Sequence, residues 1–326
     1  MLAPPSSSRG NSGSRPLTGQ KDERPASTPG STATASGLHV GDLTKALKAV
    51  SLNSPHREFE FTSADFDRIR KLLYEHAGIA LSPAKQDMVY SRLARRLRAH
   101  NYQSFAQYLQ HLERDHSEWE TFINSLTTNL TSFFRESHHF DILSTQLKQI
   151  KEKRQIKIWC CASSTGEEPY SLAITACEAF SSLSPPVQIL ASDIDTAVLA
   201  QGEQGSYRRD QVERMQPAYI ERYFTRNAVD NIYTARAELR RLIVFRRINL
   251  LSPIWALQGA FDAIFCRNVM IYFDKPTQYG ILKRFAPLLR LDGRLYAGHS
   301  ESFLHASDLL RSLGHTVYVR LDSPLR

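Results

Sequence analysis

The stretch Trp159-Cys-Cys-Ala-Ser-Ser-Thr-Gly-Glu-Glu-Pro-Tyr-Ser171 contains the transition that decides the fold. Apolar, β-prone residues lead into it from Ile156, and a short polar loop with Gly166 follows. Apolar residues then recur at helical spacing behind Pro169, which is a residue typical of helix starts. Strand, tight turn and helix form the first unit of a doubly wound sheet, in which ligands bind just outside the carboxyl ends of the strands.

The loop in this stretch disfavours a phosphate ligand. It has one glycine and no lysine after it, and Glu167 and Glu168 stand at the start of the helix. Two carboxylates repel phosphate at that range, whereas they suit a ligand that is cationic or rich in hydroxyls and amines. The alternative is that both acids only complement the helix dipole.

Composition and charge describe a globular chain with an acidic partner. The 326 residues are 42% hydrophobic and carry a net charge of +8, which is enough length for two domains and indicates a nucleic acid, membrane or acidic protein surface as partner. The four cysteines fall in apolar runs without metal-site spacing, so we expect buried thiols, no metal and a reducing, cytoplasmic location. No apolar segment approaches about 18 residues and no signal peptide is recognisable, so no membrane insertion is expected.

Three regions follow from the sequence pattern. Residues 1–55 are rich in Ser, Pro, Gly and Thr and are predicted to be a disordered tail. Residues 56–137 show helical periodicity, with a predicted capping box at Ser117-Glu-Trp-Glu120, and are predicted to form a small all-α domain. Residues 138–326 alternate strands and helices, which predicts an α/β domain with a mostly parallel sheet. An insertion at about 205–247 is predicted to contain a small β-subdomain, including Ile232 and Leu242–Phe245.

One predicted helix of the all-α domain carries cations of a single sign opposite its apolar stripe. These residues are Lys85, Arg92, Arg95, Arg96 and Arg98. A solvated helix face is the simpler interpretation, and a docking surface for an acidic partner is the alternative.

Polar residues near the predicted strand ends suggest a ligand site. Asp193 ends the second strand, where an acid typically accepts hydrogen bonds from a ribose, while Asp195 is better placed to cap the next helix. Asn129, Thr131 and Arg135 lie between the two predicted domains, where they either line a cleft or form a capping turn.

Six motifs in fixed order resemble one protein family. They are Thr128-Asn-Leu-Thr-Ser-Phe-Phe-Arg-Glu136, Ser164-Thr-Gly-Glu-Glu-Pro-Tyr-Ser171, Ala191-Ser-Asp-Ile-Asp195, Asn249-Leu250, Cys266-Arg-Asn-Val-Met-Ile-Tyr-Phe273 and Gly298-His-Ser-Glu301. Together they resemble the chemotaxis receptor methyltransferase (CheR) family, over roughly residues 59–321. The resemblance implies a class I, Rossmann-like methyltransferase that converts glutamate side chains of the chemoreceptor cytoplasmic helical bundle into methyl esters.

The resemblance also implies site residues and partners. The cofactor would be S-adenosylmethionine, with S-adenosylhomocysteine as product, and its contacts would be Asn129, Thr131, Arg135, Glu168, Asp193, Asn249, Leu250, Asn268 and Val269. Arg135 and Tyr272 would lie at the reacting groups. The basic helix would meet the acidic receptor bundle, and we expect a monomer.

One departure and two alternatives qualify this prediction. Some members bind a receptor pentapeptide through a glycine-rich hairpin, but the corresponding residues 226–233 contain no glycine, so binding of this tether is not expected. An RNA methyltransferase would share fold and cofactor, yet the sequence shows no cluster of stacking aromatics interleaved with basic residues, so nucleic acid is not expected. A non-catalytic scaffold with the same fold is the second alternative.

Overall fold

The computed structural model describes residues 57–257 and 259–325. The predicted tail, residues 1–55, lies outside the described residues. None of the described helices has both the length and the apolar character needed to cross a bilayer.

From residue 57 onward, the all-α part contains four α-helices: α1 (Ser63–Ala77), α2 (Gln86–Ala99), α3 (Phe105–Arg114) and α4 (Glu118–Leu126). The apolar residues that the periodicity places on one face are buried in a common core. They are Phe66, Ile69, Leu73, Ala77, Val89, Leu93, Leu97, Phe105, Leu109, Leu112, Phe122, Ile123 and Leu126, whereas Trp119, predicted on the same face, is half-buried at the edge of this core. Their burial removes apolar area from water and holds the four helices together.

The capping box predicted at Ser117 is wrong. Ser117 has helical backbone angles, unlike an N-cap residue, and its side chain makes no cap hydrogen bond. Its N–H, which Glu120 would bind in a capping box, is held by the Asp115 carboxylate at 2.9 Å. A capping box does occur at α1, where Thr62 and Asp65 exchange hydrogen bonds of 3.1 and 2.9 Å.

The α/β part alternates helices and strands along the chain. Its elements are α5 (His138–Gln149), β1 (Ile156–Cys160), α6 (Glu167–Phe180), β2 (Val187–Asp193), α7 (Thr196–Gln204), β3 (Ser206–Arg208), α8 (Arg209–Val212), α9 (Pro217–Tyr223), β4 (Phe224–Asn227), β5 (Ile232–Ala235), α10 (Ala237–Arg240), β6 (Ile243–Arg247), β7 (Phe261–Cys266), α11 (Lys275–Phe285), β8 (Leu289–Ala297), β9 (Leu310–Gly314) and β10 (Val317–Arg320).

Seven strands form the main sheet in the order β6-β2-β1-β7-β8-β10-β9. The pairs from β6 to β8 are parallel, and β10 runs antiparallel to β8 and to β9. This confirms the predicted doubly wound, mostly parallel sheet. Helix α6 begins at Glu167, two residues before Pro169, with Gly166 as its N-cap in the left-handed region at φ 98°. The order of the strands also creates a switch point between β1 and β7, where the crossovers leave a crevice.

The insertion forms a separate three-stranded antiparallel sheet in the order β3-β5-β4. Ile232 belongs to it, as expected. The assignment of Leu242–Phe245 to this small sheet is wrong, since Ile243 pairs with Ile189 of β2 and β6 is the edge strand of the main sheet. Burial of Ile243 against the main core outweighs any pairing with the insertion, which therefore ends before β6.

All four cysteines are buried and none forms a disulfide, which confirms their predicted role as small apolar residues in the core.

Candidate active site

A cavity of about 470 Å³ lies at the carboxyl ends of β1, β2 and β7, between the main sheet and the all-α part. It is lined by all ten residues that the sequence assigned to the cofactor or to the reacting groups, together with Lys85. They are Asn129, Thr131, Arg135, Glu168, Asp193, Asn249, Leu250, Asn268, Val269 and Tyr272. Residues far apart in the chain therefore meet at the switch point of the sheet.

Two acidic residues at the end of β2, Asp193 and Asp195, make different contacts. Asp195 is the N-cap of α7 and accepts hydrogen bonds from the N–H groups of Ala197 and Val198 at 2.9 and 3.2 Å, which confirms its predicted role. Asp193 faces the cavity and accepts from the N–H groups of Ser164 and Asp195 at 2.9 and 3.1 Å. Burial raises the pKa of the Asp193 carboxyl. Each carboxylate oxygen has a second lone pair, so Asp193 can still accept from ligand hydroxyls.

The two neighbouring glutamates do not share the cavity. Glu168 lines it, and its Oε2 lies 2.7 Å from Nη1 of Arg267. Glu167 points instead toward the insertion, where it accepts from the Thr165 hydroxyl at 2.6 Å and from the Gln211 amide at 3.1 Å. Adjacent residues of a helix point about 100° apart, so only one of the pair can face the ligand. The expectation that both acids tune the crevice is therefore wrong for Glu167.

A buried arginine between two carboxylates supports the floor of the cavity. The Arg267 side chain is 1% exposed and lies 2.7 Å from Glu168 and 3.2 Å from Glu136. Burial alone would raise the pKa of Glu136, but the Arg267 guanidinium and the backbone N–H of His299 outweigh it and lower that pKa. The cluster therefore combines one guanidinium with two carboxyl groups. The sequence prediction gave Arg267 and Glu136 no role, although a charge directly after the fully buried strand β7 was a usable signal.

The segment between α4 and α5 supplies one wall. Asn129 donates from Nδ2 to Asp195 at 2.9 Å, and its carbonyl accepts from the Ser164 hydroxyl at 3.2 Å. Arg135 donates from Nη1 to the carbonyl of Leu130 at 2.8 Å. Thr131 lines the cavity beside them. The segment is thus a cavity wall, which decides between the two interpretations that its sequence left open.

The all-α part closes the cavity through two hydrogen bonds to the sheet loops. Asn249 donates from Nδ2 to the carbonyl of His76 at 3.0 Å, and the N–H of Ala80 donates to the carbonyl of Tyr272 at 3.0 Å. The side chain of Tyr272 is half-buried in the cavity wall. The first helix and the loop after it therefore position two of the lining loops.

Four non-glycine residues around the cavity have a left-handed backbone. Their φ angles are 51° at Phe134, 56° at Glu136, 47° at Ser164 and 57° at Asn268. Such residues are costly unless the surrounding structure holds them, and they concentrate at functional sites.

Most of the basic residues of the predicted docking helix already have partners. Arg96 forms an ion pair with Glu118 at 2.9 Å, Arg98 pairs with Glu58 at 2.8 Å, and Arg92 donates to the carbonyl of Thr127. Arg95 is exposed, and Lys85 is an exposed residue of the cavity lining. Of this set only Lys85 is part of the cavity.

No cysteine is suited to act as a nucleophile. Cys161 lines the cavity, and burial raises its pKa well above the ordinary thiol value, as it does for Cys160; burial also raises the pKa of Cys266. A thiol with a raised pKa is a poor nucleophile at neutral pH.

Two family models match the chain. Residues 64–127 match the CheR methyltransferase all-alpha domain, and residues 129–319 match the CheR methyltransferase SAM-binding domain. Among curated relatives, chemotaxis protein methyltransferase 2 of Pseudomonas aeruginosa is 52% identical over 266 residues, which are 81% of this chain and 95% of that protein. The chemotaxis protein methyltransferase of Klebsiella aerogenes is 49% identical over 79% of this chain and 89% of its own length. The corresponding Escherichia coli protein is 46% identical over 79% and 91%. The chain therefore belongs to the CheR methyltransferase family and is an S-adenosylmethionine-dependent methyltransferase.

Proposed function

We propose that the protein transfers the methyl group of S-adenosylmethionine to glutamate side-chain carboxylates on the cytoplasmic helical bundle of chemoreceptors, forming methyl esters. The observation that carries the proposal is the single cavity lined by all ten expected residues at the carboxyl ends of β1, β2 and β7. A chemotaxis receptor as substrate agrees with the names of the relatives. We propose further that the enzyme acts in the cytoplasm as a monomer and binds no nucleic acid.

The cavity lining fits the proposed cofactor. Its volume of about 470 Å³ lies within the usual range of small-ligand sites. Asp193 offers acceptors for ribose hydroxyls, and Glu168 adds negative charge for a cationic amino-acid end. Ile194, Ile248 and Leu250 give an apolar surface for a purine ring. Asn129, Thr131, Asn249, Asn268 and Val269 complete the proposed contacts.

The reaction needs no general base. A glutamate carboxylate has an ordinary pKa of about 4.3 and is already ionised at neutral pH. S-adenosylmethionine supplies a methyl group activated on a sulfonium sulfur, and the acceptor oxygen gains a methyl group without any proton transfer. The protein's own residues then have to align the carboxylate and exclude water around it. Arg135, with one hydrogen bond to Leu130 within the described residues, has guanidinium donors left to hold that carboxylate, and Tyr272 borders the reacting groups.

The mouth of the cavity suits a helix that carries acids and small apolar residues. Leu130 is 78% exposed and Ile271 is 53% exposed, yet both line the cavity, so they mark its opening. Lys85 is exposed at the same opening, and Arg95 is exposed on the same helical domain. An apolar rim with nearby cations fits an amphipathic, acidic helix. Lys85 and Arg95 are therefore the strongest members of the proposed docking set, with Arg92, Arg96 and Arg98 as its more constrained members.

The decisive experiment follows the labelled methyl group. The enzyme is incubated with methyl-tritiated S-adenosylmethionine and a purified receptor cytoplasmic domain, and mild base then releases the label. Volatile methanol is expected, together with glutamate sites found by mass mapping. Base-stable label on the protein would contradict the ester, and label on added RNA would favour the RNA-directed alternative. Loss of transfer in Arg135→Ala, with cofactor binding retained, would support its acceptor role.

We propose that this enzyme recognises the methylation region without a pentapeptide tether. The turn between β4 and β5 contains no glycine, and Asn227 and Asp230 are joined by a side-chain hydrogen bond of 3.0 Å across it. Calorimetric titration with the isolated receptor C-terminal pentapeptide is expected to give no measurable heat. Tight binding would contradict this part of the proposal.

A further inference from the structure

Glu301 is a buried carboxylate that binds four backbone N–H groups. Its side chain accepts from Gly298 at 2.6 Å, from Asn268 at 2.9 Å, from Val269 at 3.0 Å and from Met270 at 2.8 Å. The residue is 4% exposed. The four donors belong to two loops, one after β7 and one after β8. A single side chain therefore fixes both loops at the carboxyl ends of their strands.

The four backbone N–H groups compensate the Glu301 carboxylate in place of a cationic side chain. A buried carboxylate is costly unless hydrogen bonds or cations compensate it, and no cation lies within ion-pair distance of Glu301 among the residues that the structure describes. Backbone N–H groups that converge on a carboxylate are strong, charge-assisted donors. They also hold Asn268 at φ 57°, a left-handed backbone that a non-glycine residue rarely keeps without support.

The rest of the loop after β7 is held as tightly. Gln278 donates from Nε2 to the carbonyls of Met270 and Phe273, each at 2.9 Å. The carbonyl of Tyr272 accepts from Ala80. Asn268, Val269 and Tyr272 line the cavity, so the cavity wall formed by this loop is held at both its beginning and its end.

The glycine beside Glu301 shows how closely the two loops approach. A Cβ atom at Gly298 would lie 2.5 Å from Nδ2 of Asn268, 2.8 Å from its backbone nitrogen and 2.8 Å from Oε2 of Glu301. Atoms of the backbone cannot yield as easily as the end of a flexible side chain. Any larger residue at this position has to push the two loops apart.

We propose that Glu301 is a positioning residue for cofactor binding: it orients the loop at 268–272 so that Asn268 and Val269 face the ligand. It acts through the loop and does not itself line the cavity. The inference rests on the cavity as the cofactor site and is independent of which substrate is methylated.

The test compares Glu301→Gln with Asp262→Asn. A glutamine keeps the size but turns one acceptor into a donor that faces backbone donors, so the loop loses its fixed geometry. Asp262 is a suitable control because it is also a buried carboxylate, at the opposite end of β7, where it accepts from Lys157 N at 2.9 Å and pairs with Arg154. Both variants are expected to lower the Tm.

Binding of S-adenosylhomocysteine is measured by calorimetry far below either Tm. We expect the Kd of Glu301→Gln to rise at least about tenfold, because small misplacements of binding groups are costly, and that of Asp262→Asn to stay within about twofold. Equal Kd values for Glu301→Gln and the wild type, despite a lower Tm, would overturn the proposal. Gly298→Ala displaces the same contact independently, so it should weaken binding as well; an unchanged Kd in this variant would count equally against it.

Discussion

Nη1 of Arg267 lies 2.7 Å from Oε2 of Glu168, beneath the cavity and almost out of contact with water. The arginine comes directly after β7 and the glutamate lies in the first turn of α6, so this ion pair joins two neighbouring crossovers of the sheet. The same guanidinium lies 3.2 Å from Glu136, in the segment that leads to α5. One buried cation therefore holds three separate parts of the cavity floor together.

Replacing Arg267 should cost much more stability than replacing an exposed arginine. Arg267→Met leaves Glu136 and Glu168, whose side chains are only 14% and 12% exposed, without their cation. Breaking a buried pair on one side costs about 3–5 kcal/mol. Arg98→Met removes an ion pair with Glu58 whose side chains are about half exposed, and such pairs contribute about 0–1 kcal/mol. Urea denaturation of both variants measures the difference. Similar losses of unfolding free energy in the two variants would show that the buried ion pairs of Arg267 contribute no more stability than an exposed ion pair.

Asp193→Asn should weaken binding of the cofactor, and it should also lower the Tm, because both carboxylate oxygens accept from backbone N–H groups. The amide loses the charge that strengthens acceptance from ligand hydroxyls, and a hydrogen bond to a charged group is worth about 1.5–3 kcal/mol, or roughly 10- to 150-fold in Kd. Calorimetry with S-adenosylhomocysteine checks this. Asp210→Asn is the control, because Asp210 is exposed and forms an ion pair with Arg208 in the insertion. Unchanged binding in Asp193→Asn would remove Asp193 from the site.

Local sequence patterns predicted the fold well where apolar residues recur at regular helical spacing or form a continuous apolar strand. The helical faces from Phe66 to Leu126 and the buried strand β7 have regular patterns that the structure reproduces. The sequence failed where two uses compete for one segment. The sequence of β6 is compatible both with the small antiparallel sheet and with the main sheet. Its place in the main sheet follows from the burial of Ile243 beside β2. Strand β9 was not predicted, because Arg311, Ser312 and Gly314 interrupt its apolar pattern.

The residues of the candidate site were predicted mainly from the positions of the family motifs, and less from the chemistry of the individual side chains. The ten expected residues do line one cavity. The prediction failed for Glu167. Its position next to Glu168 suggested that both carboxylates face the ligand, but in the helix the Glu167 side chain points toward the insertion. The support residues Arg267 and Glu301 act on other parts of the chain, more than 30 residues away in sequence. Local sequence patterns do not reveal such long-range hydrogen bonds. The sequence therefore predicted ten lining residues, but neither Arg267, which also lines the cavity, nor Glu301.

The exposed rim of the cavity should affect the protein substrate alone. Leu130→Ala and Ile271→Ala remove apolar contact area at the mouth, so the KM for a receptor cytoplasmic domain is expected to rise about 3- to 30-fold. The Kd for S-adenosylhomocysteine should stay within about twofold. Leu304→Ala is the matched control, because Leu304 is 79% exposed and does not line the cavity. Equal KM values for all three variants would place substrate docking elsewhere.

Buried His139 should make stability depend on pH. Burial, aided by the positive charges of Arg267 and His138, lowers its pKa to about 4, although the His315 carbonyl opposes the shift. An unfolded histidine titrates near pH 6.5, so between about pH 6.5 and 4 the unfolded state binds more protons than the folded state. The free energy of unfolding therefore decreases as the pH is lowered through this range. The loss should reach about 2 kcal/mol between pH 7 and pH 5. Urea denaturation of wild type and His139→Gln at both pH values checks this, and equal slopes would contradict it.

The contact between Gly78 and Leu251 should couple the all-α part to cofactor binding. Gly78 ends α1 at φ 66°, and a Cβ there would lie 2.1 Å from Cδ1 of Leu251. Leu251 follows Asn249 and Leu250, which line the cavity. Gly78→Ala has to move the Leu251 side chain, and we expect this movement to disturb the loop and its hydrogen bond from Asn249 to His76. We expect the Kd for S-adenosylhomocysteine to rise about tenfold, as for other small displacements of binding groups.

Two further variants separate this clash from simple backbone strain. Gly314 also has a left-handed backbone, at φ 87°, but a Cβ there meets nothing within 4 Å. Gly314→Ala therefore carries the strain, about 1 kcal/mol, without the clash, and its Kd should equal that of the wild type. The double variant Gly78→Ala/Leu251→Ala removes the clash and keeps the strain, so its Kd should return to within about threefold of the wild type. If the double variant binds as weakly as Gly78→Ala alone, the two loops are not coupled through the contact between Gly78 and Leu251.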